Sequence, residues 1–315
     1  MIHEKIKQTL MGEKDPFNWI LGQSDVKKGL RSALLMQRNV IIVGPAGVGK
    51  TTLAKNVAGL LPGKENKFVR VQGSPDLTVE DLMGDIDPVK ALKYGPMSKE
   101  AFTPGKIFKA DKGLLFFDEL NRCPEKLQNA LLQVLEERKV TLGGYDVDFN
   151  ADFIFIATMN PEDSSTEKLS DVLLDRFDVL YMDYPETLEI EARIVREKGR
   201  KLDVKVDDML VNLMVLFVRL IRESKDLEKR PGVRASLGLY ERSQSNAVLK
   251  GKKNVDFSDV EEAIVSVLSH RIKLKPSIQY LKSAEDFVKE ELKKFEKERK
   301  LKRLDEGKGE KSGLA

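Results

Sequence analysis

The sequence predicts an α/β protein: a three-layer αβα domain on a parallel five-stranded sheet, followed by a smaller all-helical domain. Three observations predict it. Between about Leu21 and Tyr184, short apolar runs rich in β-branched and aromatic residues alternate with amphipathic stretches, as strands and helices do in a three-layer fold. A glycine-rich stretch leaves the first of these runs and opens an amphipathic one. After Pro185 only helical periodicity remains. The 315 residues give room for two domains. With 41% hydrophobic and 33% charged residues, the composition excludes both a disordered chain and a membrane protein.

In chain order, residues 1–20 are predicted as an N-terminal helical extension, too rich in charge for a secretory signal. Residues 21–185 form the α/β domain. Its strands are read at 40–43, 68–71, 114–117 and 153–157, rich in β-branched and aromatic residues as parallel strands buried on both faces should be, with a fifth at 179–182. Two excursions interrupt them. Residues 78–112 hold Gly84, Pro88, Gly95, Pro96, Pro104 and Gly105 and read as a loop-rich insert. Residues 140–149 read as a β-hairpin turning at Gly143-Gly144. Helices near 187–200, 207–224, 234–249 and 257–271 fill the helical domain, 186–275. Residues 276–315 give a charged helix with Val288, Leu292 and Phe295 on one face, then a polar tail.

The formal charge, 54 Lys+Arg against 51 Asp+Glu, is +3, too small a field to announce a nucleic-acid partner. One cysteine and two histidines supply neither a disulfide framework nor a zinc site. The apolar stretch Met209–Val218 is too short to span a bilayer. A cytoplasmic location is expected.

Gly44-Pro45-Ala46-Gly47-Val48-Gly49-Lys50-Thr51-Thr52 lies between a predicted strand and a predicted helix, the context a phosphate-binding loop requires. Glycines let backbone N–H groups turn inward around a β-phosphate, and the helix N-terminus adds positive potential. Lys50 reaches the β/γ-phosphates and the Thr51 hydroxyl ligates Mg²⁺, so ATP and Mg²⁺ are the expected ligands. Asp118-Glu119 ends a buried strand at the carboxyl edge of the sheet, where ligands gather. Asp118 is expected to hold Mg²⁺ through water, and Glu119 to polarise the attacking water. Phosphoryl transfer needs metal and nucleophile oriented separately.

The stretch Asp118–Glu137, beginning Asp-Glu-Leu-Asn-Arg, resembles the Walker B region of AAA+ ATPases of the MoxR and magnesium-chelatase I-subunit group. Thr78–Asp87 and Phe102–Phe108 resemble that clade's helix-2 insert, and the hairpin resembles its pre-sensor hairpin. The resemblance covers roughly Leu21 to Ile272. It implies an AAA+ domain with a helical lid, hydrolysing ATP to ADP and phosphate as a homo-oligomeric ring, a hexamer. It implies that Asn160 is sensor 1, that Arg176 is the arginine finger reaching a neighbour's γ-phosphate, and that Arg234 is sensor 2. Gly232-Val233 stands before Arg234 where MoxR proteins commonly carry Ser-Pro.

Those three residues also have plainer readings. Asn160 precedes Pro161 as a turn former does, and Arg176 follows Asp175 as half of a surface ion pair. Arg122 either serves a subunit interface, or caps a loop or pairs with a carboxylate. Cys123 reads as an inert filler.

Two roles stay open within the resemblance. One is a chaperone assembling a client, such as a von Willebrand A-domain protein. The other is the motor of a chelatase, acting on a chelatase subunit. The alternative from another class is a DNA-dependent, helicase-like motor of the same clade. Its hairpin would carry Lys or Arg at the tip, where Gly143-Gly144-Tyr145-Asp146 stands instead.

Overall fold

The runs at 40–42, 114–117 and 154–157 are apolar without alternation and buried, as strands covered on both faces should be, while the runs at 68–72 and 177–181 expose Arg70, Gln72, Val179 and Tyr181; all five pair into one parallel sheet. The computed structural model describes residues 2–61, 67–96, 98–137, 139–141, 148–150, 152–161 and 169–309. It divides into two units, Met1–Asp183 and Tyr184–Ala315.

The first unit opens with α1 (Ile2–Met11), α2 (Ser24–Leu35), β1 (Asn39–Val43), α3 (Lys50–Ala58) and β2 (Phe68–Gln72). The insert follows as α4 (Val79–Met83), β3 (Gly84–Ile86), α5 (Pro88–Tyr94), β4 (Phe102–Pro104) and α6 (Lys106–Lys109). Next come β5 (Leu114–Asp118), α7 (Glu125–Glu137), β6 (Lys139–Thr141), β7 (Asp148–Asn150), β8 (Ile154–Met159), α8 (Asp171–Leu174) and β9 (Phe177–Tyr181). The sheet order is β2-β5-β8-β1-β9, all neighbours parallel. Its centre is Val40–Ile42, Leu114–Phe117 and Ile154–Ala157, all buried. The fifth strand starts two residues earlier than the apolar run suggests, because Phe177 is itself core, 5.5 Å from the Phe155 ring.

The insert is more ordered than its glycines and prolines predict. β3 and β4 pair antiparallel with Gly84 opposite Pro104. Thr78 and Asp81 form a reciprocal capping box on α4, and the Asp87 carboxylate accepts from the N–H groups of Val89 and Lys90 to start α5. The arms of the predicted hairpin pair antiparallel as β6 and β7, with Val140 opposite Phe149. Its tip, Gly143 to Asp146, lies outside the described residues.

The second unit comprises α9 (Leu188–Lys198), α10 (Asp208–Glu223), β10 (Leu227–Lys229), α11 (Val233–Leu249), α12 (Phe257–Leu268), β11 (Lys273–Leu274), α13 (Pro276–Gln279) and α14 (Ala284–Gly309). Met214, Phe217, Leu239 and Ile264 build its core, joined by Phe287, Val288 and Phe295 of α14. Helical periodicity did not predict β10 and β11, a short antiparallel ribbon within this helical unit. Among the described residues no helix is long and apolar enough to cross a membrane.

Candidate active site

The loop from Gly44 to Gly49 leaves the buried strand β1 and turns directly into α3, which Lys50, Thr51 and Thr52 open. Geometry demands all three glycines of the loop, Gly47 through its φ of 82°. A Cβ on Gly44 would lie 2.0 Å from the Met182 carbonyl oxygen just past β9, and Gly49, at φ 110°, occupies a conformation that L side chains rarely adopt. Pro45, Ala46, Gly47 and Val48 complete the turn, Val48 with its side chain buried. The Lys50 ammonium donates back to the carbonyls of Gly44, at 2.6 Å, and Pro45, at 2.8 Å.

Parallel pairing brings the other candidates to this same edge. Val43 is in register with Met159, and Phe117 with Ala157, so the ends of β1, β8 and β5 lie side by side. At about 4.8 Å per strand, Asn160 follows a strand about 5 Å from the loop's and Asp118 ends one about 10 Å away. The Gly44 amide donates to the Met159 carbonyl at 3.1 Å, which ties the loop to the residue before Asn160.

The acidic pair is held by three residues outside the predicted set. The Thr158 hydroxyl, fully buried, donates to Asp118 Oδ1 at 2.6 Å and accepts from the Glu119 amide at 3.0 Å. That second bond holds Glu119 in the left-handed region, φ 58°. Arg70 Nη2 donates to Asp118 Oδ2 at 2.5 Å. Gln72 Nε2 donates to Glu119 Oε2 at 2.9 Å, and Arg122 Nη1 lies 3.3 Å from the same oxygen. Arg122 therefore pairs with a loop carboxylate. The sequence carried one signal for Thr158, a hydroxyl inside an otherwise apolar strand. It carried none for Arg70 and Gln72, whose role depends on Gln72 lying in register with Asp118.

A metal ion here would have few protein ligands. Among the described residues no cluster of three or more His, Cys, Asp or Glu side chains occurs. One hydroxyl, Thr51, and one carboxylate, Asp118, fit Mg²⁺, which keeps waters and takes phosphate oxygens for the remainder.

The structure does not bring Arg176 to this edge. It precedes Phe177, which is in register with Asn39 at the opposite end of β1, about 16 Å along the strand from the loop. Its Nη2 donates to Glu136 Oε2 at 2.8 Å and its Nη1 to the Val172 carbonyl at 2.6 Å. The ion-pair partner is thus Glu136 and not the neighbouring Asp175. Arg176 Nε is buried without a partner among the described residues. Arg234 belongs to the second unit, in the first turn of α11, where it is exposed and makes no hydrogen bond or ion pair among the described residues. Cys123 is buried in the core beside Leu120 and Leu127, and its carbonyl accepts from Gln128 Nε2 at 3.1 Å.

Comparison with known proteins adds relatives to this geometry. A family model described as "AAA domain (dynein-related subfamily)" matches residues 39–177, and one described as "AAA lid domain" matches 231–291. The chain is 30% identical to the Mycobacterium tuberculosis protein "Chaperone MoxR1" over 81% of its own length and 73% of that protein's. It is 26% identical to the soybean (Glycine max) "Magnesium-chelatase subunit ChlI, chloroplastic", over 83% of this chain and 75% of that protein. A solved Thermotoga maritima RuvB, a point mutant, shares the fold at TM-score 0.56 and 20% identity, over 81% of this chain and 73% of that one.

Proposed function

The chain belongs to the AAA+ ATPases of the MoxR and magnesium-chelatase group, and on that premise we propose that it works as a ring, a hexamer, whose ATP hydrolysis remodels or assembles a partner protein. The backbone amides of Gly47 to Thr52 and the Lys50 ammonium bind the phosphates. Thr51, and Asp118 through water, would hold Mg²⁺, which would supply charge neutralisation to the phosphates. Glu119 polarises a water and Asn160 orients it. The water oxygen bonds to the γ-phosphorus as the bond to the bridging oxygen breaks, leaving ADP and phosphate. Arg234 is assigned the sensor 2 role.

One observation carries the ring. Arg176 stands at the sheet edge opposite its own phosphate loop, too far to serve it. As a finger it acts on a neighbouring subunit's ATP. Arg176→Ala and Lys50→Ala proteins, each nearly inactive alone, should regain partial turnover when mixed, because mixed rings contain interfaces with one intact loop and one intact finger. The loss in Arg176→Ala alone should be on the order of 10³, as for other arginine fingers. No rescue in a mixture proven by native mass spectrometry to form mixed oligomers would refute the ring mechanism.

The partner is a protein and not DNA. Helix α5 in the insert buries none of its residues, and Val89, Leu92 and Tyr94 are 76%, 91% and 50% exposed. Apolar side chains suit a protein client better than a phosphate backbone. Capture with a Glu119→Gln trap decides between a von Willebrand A-domain client and a chelatase subunit. The single cysteine suits the reducing cytoplasm.

A further inference from the structure

Among the described residues of the second unit two carboxylates are fully buried, and they sit at opposite ends of α11. At the C-terminal end Asp259 accepts from Lys250 and Lys252, each at 2.9 Å, while its carbonyl accepts from Asn246. At the N-terminal end Glu191, on α9, accepts from Arg222 through both oxygens, at 2.8 and 2.9 Å. Ser236 donates to Glu191 Oε1 at 2.7 Å. Arg222 spends its third donor, Nε, on the Pro231 carbonyl at 2.8 Å, and its guanidinium lies over the Tyr184 ring.

These contacts land on both sides of Arg234. Pro231 precedes it by three residues and Ser236 follows it by two, and one buried ion pair grips both. The helix start needs that grip. Its N-cap is Gly232, which offers no side-chain acceptor, so the usual Ser, Thr, Asp or Asn cap is missing. Arg234 has no partner of its own among the described residues. Burial and then the charge of Arg234 hold the Arg271 guanidinium below its usual range, so the two cations also repel. The backbone alone aims Arg234. A buried ion pair is a weak source of stability, since apolar replacements often serve as well, and fixing geometry is its better-attested use.

We infer that Glu191, held by Arg222, is the positioning residue for Arg234: it sets the start of α11, which carries that arginine. The inference rests on the proposed role of Arg234.

The test uses the full chain and compares Glu191→Gln in two backgrounds. In the otherwise unchanged protein, turnover should fall about tenfold, inside the roughly 10²-fold that a misplacement of about 1 Å can cost. In an Arg234→Ala background it should cost nothing further, because the group it positions is gone. Asp259→Asn is the structural control. It should lower the melting temperature comparably, yet reduce turnover by the same factor in both backgrounds. If Glu191→Gln does not fold, Ser236→Ala removes one hydrogen bond only and carries the same comparison, with an expected loss of about threefold. Equal losses in both backgrounds would overturn the inference and leave the role of Arg234 standing. Wild-type turnover by Arg234→Ala would overturn both.

Discussion

Thr158→Val exchanges one buried side chain for another of nearly the same shape and removes only the hydroxyl that joins Asp118 to Glu119. Two bonds go. The charge-assisted bond to Asp118 Oδ1, 2.6 Å, is worth about 1.5–3 kcal/mol, and the Glu119 amide left without its acceptor costs about 1–3 kcal/mol. Asp118 keeps some solvent and its Arg70 partner, so the lower ends apply and the sum is about 3 kcal/mol. Thr158→Ser keeps the hydroxyl and deletes one buried methyl, for about 1 kcal/mol. In denaturant titrations the Val variant should therefore unfold its first unit earlier than the Ser variant, by about 2 kcal/mol. Turnover should separate them further. Left-handed backbone costs a residue such as Glu119 about 1–2 kcal/mol, and without Thr158 to hold it the carboxylate leaves its place beside Gln72. Val should be at least tenfold slower than wild type while Ser stays close to it. A Val variant as stable and as active as the Ser variant would refute the reading that this hydroxyl builds the acidic site.

Glu119→Gln should keep binding ATP and MgADP, measured by fluorescent-nucleotide titration, while hydrolysis falls by orders of magnitude, because charge and not volume polarises the water. Glu136→Gln releases Arg176 from a pair whose side chains are 26% and 62% exposed. Such a pair is worth about 0–1 kcal/mol, so melting should shift little and turnover should rise no more than about fivefold; a fall in turnover would mean that the pair positions Arg176 for its proposed role. The lid should be acid-sensitive. Hydrogen bonds from Lys252 and Ser258 hold Asp256 below its ordinary range, and at Asp259 burial pushes up but the donors around it outweigh burial. Depressed carboxylates stabilise the fold above the ordinary aspartate value and lose that contribution as pH falls, so melting should be flat from pH 7 to about 5 and drop below about pH 4. Lys252→Ala should flatten that drop.

The glycine-rich loop between β1 and α3, the acidic pair at the end of β5 and the strands that carry them were legible because each is a contiguous run of sequence. Legibility stopped where partners come from other strands. Arg70 and Gln72 sit in an ordinary apolar-polar run, and only pairing with β5 sets them against Asp118 and Glu119. The same limit applies to Arg176. Asp175 is its neighbour in sequence, but Glu136 reaches it from the end of α7, 40 residues away. Glu191 and Arg222 look like two charges on two amphipathic helices, and nothing in their spacing says that both are buried. The insert was underestimated for another reason: glycine and proline punctuate short elements as well as loops, and Gly84 and Pro104 face each other across a ladder.

The first unit combines a firmly fixed backbone with loosely held charges. Gly44 is locked against Met182, and Glu119 hangs on Thr158. The charged groups assigned to phosphate, metal and water are instead engaged by their own chain: Lys50 by loop carbonyls, Asp118 by Arg70, Glu119 by Gln72 and Arg122, and Arg176 by Glu136. The ion pairs among these are partly exposed, and exposed pairs contribute about 0–1 kcal/mol each. A triphosphate with its Mg²⁺ carries enough charge to replace such partners at small cost. Nucleotide exchange in this protein should then be a change of side-chain partners over an unchanged strand register, with the lid arginine the exception. Arg234 has no side-chain partner to give up among the described residues, so its contribution depends on where the buried Glu191–Arg222 pair places the start of its helix.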